Sequence, residues 1–136
     1  MIRTCGDFVT SAPGKWVLRV MFNYDHSDFT RDETWSEFVS DAFHARDNFG
    51  GADDKHANQE AWVNHIRRGM GVWSTGEKAL ALAVLHVIDY DWLADEFATV
   101  WNEHARQYES RAFAMLSKAS GDFAEAVGAC FARVDR

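Results

Sequence analysis

The segment Ala79–Ile88 reads ALALAVLHVI, and its apolar residues cover every side of a helical wheel. A helix without a polar face has to sit in the middle of its fold. Directly before it, Ser74-Thr-Gly-Glu77 has the spacing of a capping box, in which hydroxyl and carboxylate satisfy backbone N–H groups at the helix start. Residues 75–88 are therefore predicted as a central helix, with His86 its one strongly polar interior residue. The rest of the chain has to cover it.

The covering segments are amphipathic. Trp35, Phe38, Val39, Ala42, Phe43 and Phe49 recur at helical spacing, Thr34-Trp-Ser-Glu37 is a second capping box, and Gly50-Gly51 stops this helix. Asp53 or Asp54 caps a further helix to about Arg68, with Ala57, Ala61, Trp62 and Ile66 inward. Tyr90–Lys118 carries a long stripe that includes Leu93, Phe97 and Val100, with Trp92 and Trp101 beside it. As one helix it would be about 40 Å long, so it either breaks near Glu103–Ser110 or projects. Ser120-Gly-Asp122 opens a last helix with Phe123, Val127, Cys130, Phe131 and Val134 on its apolar face. A single proline, Pro13, agrees with long helices after it.

The N-terminal residues read differently. Asp7–Thr10 and the β-branched, aromatic run Lys15–Tyr24 flank Ser11-Ala-Pro-Gly14, which predicts a β-hairpin. The expected architecture is mainly α, as one domain over 1–136. A hairpin segment, 1–28, lies beside a body of about five helices, 32–135, packed around the central helix.

Charge narrows the function classes. The 136 residues carry a formal net charge of −7, concentrated as −5 in 29–60 and −5 in 89–110. Lys and Arg do not cluster beyond Arg67-Arg68, so direct nucleic-acid binding is not expected. No stretch approaches the roughly 20 apolar residues of a membrane span, and no signal peptide is visible, so the expectation is no membrane partner. Cys5 and Cys130 stand at opposite ends without a CxxC pair, which reads as two thiols in a reducing cytoplasm, a disulfide between them being the alternative.

No nucleophile elbow or zinc signature is present, and Gly71-Val-Trp-Ser-Thr-Gly76-Glu-Lys78 lacks the Lys-Ser/Thr pair of a phosphate loop. No cofactor is implied. The leading expectation is a non-enzymatic protein-interaction module whose acidic helices bind a basic protein surface. Its candidate residues are Asp32, Glu33, Asp47, Asp53 and Asp54, with Asp91, Asp95, Glu96 and Glu103, plus Trp73 as an exposed anchor. In composition alone such a chain resembles the small acidic inhibitors that phages and other mobile elements direct at host defence nucleases. One alternative is a small metal-dependent hydrolase. It would use His86 and Asp89, with His44, His65 and Asp91 converging on them. The other is a self-associating subunit, a homodimer for example, built through the hairpin edge or the long helix.

Overall fold

The computed structural model describes residues 1–25, 28–102, 106–110 and 120–135. They are mainly helical: α1 Cys5–Thr10, α2 Ala12–Trp16, a π-helical turn Val17–Met21, α3 Trp35–Asp47, α4 Lys55–Met70, α5 Thr75–Val87, α6 Asp91–Ala98 and α7 Gly121–Ala132. A short antiparallel pair, β1 Thr99–Asn102 and β2 Gln107–Ser110, follows α6, with Thr99 opposite Ser110.

The central helix is where the apolar run demands. All of Ala79–Leu85 is buried, and α5 packs chiefly against α7 and α6. Both predicted capping boxes form. The Ser74 hydroxyl accepts from Glu77 N–H while the Glu77 carboxylate accepts from Ser74 N–H, and Thr34 and Glu37 do the same for α3. Asp54 caps α4, and Gly50 and Gly51 adopt the positive φ that ends α3. Asn58, nearly fully buried, then pins this connection by donating to the carbonyls of Asp47 and Ala52 and accepting from Ala52 N–H.

The N-terminal hairpin is not there. Thr4 and Asp7 form a third capping box, and Ser11 accepts from Gly14 N–H with Pro13 in the first turn of α2. Proline there is pre-shaped for a helix, so the Pro-Gly pair that reads as a turn starts α2 instead. Val17, Leu18, Met21 and Phe22 point into the core, and packing outweighs the strand preference of their neighbours. The π turn leaves carbonyls free, and α4 satisfies two of them. Trp62 Nε1–H donates to Met21 O at 3.0 Å and His65 Nε2 to Val20 O at 2.6 Å. Since a carbonyl only accepts, the His65 proton resides on Nε2. A self-association route through a hairpin edge loses its basis with the hairpin.

Other departures are local. The long stripe breaks earlier than expected, at Ala98, where β1 begins. Tyr90 O accepts from Leu93 and Ala94 N–H at the start of α6. Ala57 faces solvent, and Phe131 is 49% exposed although its spacing predicts the apolar face of α7. The chain ends lie together. Cys5 N–H donates to Val134 O at 3.1 Å, and Asp135 accepts from Trp35 N–H at 2.8 Å. Cys5 and Cys130 are buried free thiols, and desolvation pushes the Cys130 thiol up to about 12.

Candidate functional site

The acidic residues nominated from the sequence are mostly engaged within the fold. Asp47 accepts from Arg46 at 2.8 and 3.0 Å and from Gln59 at 2.8 Å, with Lys55 at 3.8 Å. Partial burial works against ionisation there, but the bonds from Gln59 and Arg46 prevail and hold the carboxyl below its ordinary value. Glu96 takes both nitrogens of a bidentate bond from Arg67, at 2.9 Å each, and Asp91 Oδ1 lies 2.9 Å from His86 Nδ1. Asp54 is spent as a cap. Asp32, Asp53 and Asp95 are exposed without a salt bridge to any other described residue. Glu103 lies outside the described residues.

Glu33 is a special case. It is partly buried, its Oε2 is shut away from solvent without a hydrogen-bond partner, and it meets Asp41 side chain to side chain. Burial first, then the bond to Asp41 and the charges of Asp41 and Glu37, push its carboxyl from 4.5 up to about 7. Glu33 is therefore about half protonated at neutral pH and adds little to the acidic surface. The sign of its effect on stability follows. The folded chain holds a proton that the unfolded chain releases between about pH 4.5 and pH 7. The stabilisation is full below that window and lost as pH rises through about 7. Glu33→Gln removes this loss, so urea unfolding should find the variant more stable than the parent by about 1–2 kcal/mol at alkaline pH. Below about pH 4.5 the two should converge.

The histidines and carboxylates of the metal alternative do not assemble. His86 is exposed at the end of α5, against the expectation of an interior residue, with its ring 5.4 Å from Phe131. His65 faces the π turn and Phe49, His44 is exposed near the end of α3, and Asp89 is exposed with a φ of 61°. Among the described residues no three His, Cys, Asp or Glu side chains come close enough to share a metal ion.

The tryptophans rearrange the picture further. Trp73, nominated as an exposed anchor, is partly buried. Its ring lies over Gly69, where a Cβ would overlap it, and meets the edge of Trp16 at 5.1 Å. Trp92, expected beside the apolar stripe of a longer helix, is instead 55% exposed. Trp16, Trp35 and Trp62 are buried.

Trp92 borders an open groove of about 310 Å³ between the outer face of α4 and the start of α6. His56, Glu60, Val63 and Arg67 form one wall at spacings of three and four residues, with Gln59 beside them. Tyr90 and Trp92 form the other, their ring centroids 5.9 Å apart. Tyr90 is fixed from behind. Arg46 donates to its hydroxyl at 2.9 Å, and the Trp62 ring packs against it at 4.9 Å. The groove thus joins an exposed indole, a half-buried tyrosine and a bidentate Arg–Glu pair, the residue types that dominate binding hot spots. The trace in the sequence is the His56/Glu60/Val63/Arg67 stripe opposite the inward Trp62/Ile66 face. Nothing in the sequence says that Trp92 is left half exposed in the first turn of α6.

Searches of protein families, of curated proteins and of solved structures find no match to this chain.

Proposed function

We propose that this chain is a non-enzymatic protein-binding module that docks a basic protein surface through the groove beside Trp92. The observation that carries the reading is the half-exposed indole in a groove also lined by Glu60, on a chain in which Trp16, Trp35 and Trp62 are buried and Trp73 is partly buried. Leaving so large an aromatic surface in water forgoes burial free energy of about 2 kcal/mol or more, which contact with a partner would recover. Glu60 lines the groove, Glu96 is bonded to its Arg67, Asp91 and Asp95 share the short helix α6 with Trp92, and the net charge of −7 favours approach of a cationic partner. The His and carboxylate groups of the metal-dependent alternative do not gather around one metal position among the described residues.

Affinity capture followed by identification of the bound protein tests this. The expected partner has a basic surface, is released by high salt, and is captured about tenfold less well by Trp92→Ala. A partner retained at high salt, or retained equally by that variant, contradicts the reading.

A further inference from the structure

We infer that the groove beside Trp92 receives an arginine side chain from a basic segment of the partner, its guanidinium lying on the indole face with Glu60 as counter-charge. The inference rests on the protein-binding reading and narrows it to one residue type.

The charge balance of the groove selects a cation. Its own cation, Arg67, is neutralised by Glu96 through two hydrogen bonds of 2.9 Å. Those bonds hold the Glu96 carboxyl below its ordinary value. Glu60 is then left as the uncompensated charge of the lining, without a salt bridge to any described residue. Asp95, on the same helix as Trp92, adds a second exposed carboxylate. An acidic segment would meet this field as a repulsion.

The aromatic wall selects the kind of cation. Indole is the best aromatic face for a cation, and a planar guanidinium stacks on it where an ammonium makes only a point contact. The molecule already uses this chemistry on the inner side of the same wall. The Arg46 guanidinium lies 4.8 Å from the Phe43 ring centroid and 5.7 Å from that of Tyr90, while donating to the Tyr90 hydroxyl. Trp92, 55% exposed, leaves aromatic surface open to solvent on the groove side of the same wall. Gln59 lines the groove with its Nε2–H already donated to Asp47, which leaves its amide oxygen as an acceptor for an incoming N–H.

The test is fluorescence anisotropy of the whole chain against three labelled peptides of equal length: oligoarginine, oligolysine and oligoglutamate. The expected result is salt-sensitive binding of oligoarginine, several-fold weaker binding of oligolysine, and none of oligoglutamate. Trp92→Ala should weaken oligoarginine binding about tenfold, with Trp92→Phe intermediate and Glu60→Gln weaker by about threefold. Both positions are exposed, and an unchanged unfolding midpoint for each variant confirms that the fold is intact. Equal binding of oligoarginine and oligolysine would overturn the stacked guanidinium. Oligoarginine binding that ignores Trp92 would overturn the groove while leaving an acidic binding surface elsewhere. Failure of both basic peptides to bind would overturn the protein-binding reading together with this one.

Discussion

Trp62→Ala should destabilise the fold by about 3–5 kcal/mol, enough to unfold much of a domain of ordinary stability. Trp62 is fully buried, and three separate contacts end on it. Its ring stacks on Phe22 with centroids 5.7 Å apart, meets Tyr90 edge-on, and its N–H satisfies the Met21 carbonyl at the close of the π turn. Alanine leaves a cavity and an unpaired buried carbonyl at once. Trp62→Phe keeps most of the packing and loses the hydrogen bond, so it should cost less, about 1–2 kcal/mol beyond any strain of repacking. Urea unfolding of both variants separates the two contributions. Equal, small losses would mean that α4 does not anchor the N-terminal segment.

The second large effect tests the helical N-terminus. A Cβ on Gly14 would overlap the backbone carbonyl of Phe8, because α1 and α2 meet there without room for a side chain. Gly14→Ala should therefore cost about 3 kcal/mol, since backbone atoms have to move. In a hairpin turn the same change would cost far less. Gly128 supplies the opposite case. It lies exposed inside α7 with no described atom within 4 Å of an added Cβ, and Gly128→Ala should stabilise by about 0.5–1 kcal/mol. Opposite signs for the two substitutions in one unfolding assay are the expected outcome, and a neutral Gly14→Ala would argue against the α1–α2 contact.

Signals that act within one or two turns were legible beforehand. The capping boxes at Thr34 and Ser74, the Asp54 cap, the double-glycine stop and the wholly apolar α5 are all local chemistry, and each element forms where that chemistry places it. The N-terminus misleads because Trp16, Val17, Val20, Phe22 and Tyr24 suit a strand by residue type, while the buried Val17, Leu18, Met21 and Phe22 suit a helix by spacing. The Thr4-x-x-Asp7 capping box was the signal that could have decided for the helix. The candidate face was harder to read, since it depends on approaches between distant segments. Trp73 is covered because Gly69 admits its ring, whereas Trp92, in the first turn of α6, is left half exposed. Likewise, a charge count cannot show that Asp47, Asp91 and Glu96 already have partners, or that Glu33 holds a proton near neutrality.

The chain is expected to bind its partner through the groove between α4 and α6. Hydrogen exchange of the whole chain, alone and with the captured basic partner, tests it most directly. Slowed exchange confined to the α4 and α6 segments that border the groove, 55–70 and 90–96, is the predicted footprint. Protection elsewhere with these segments unchanged would contradict the account.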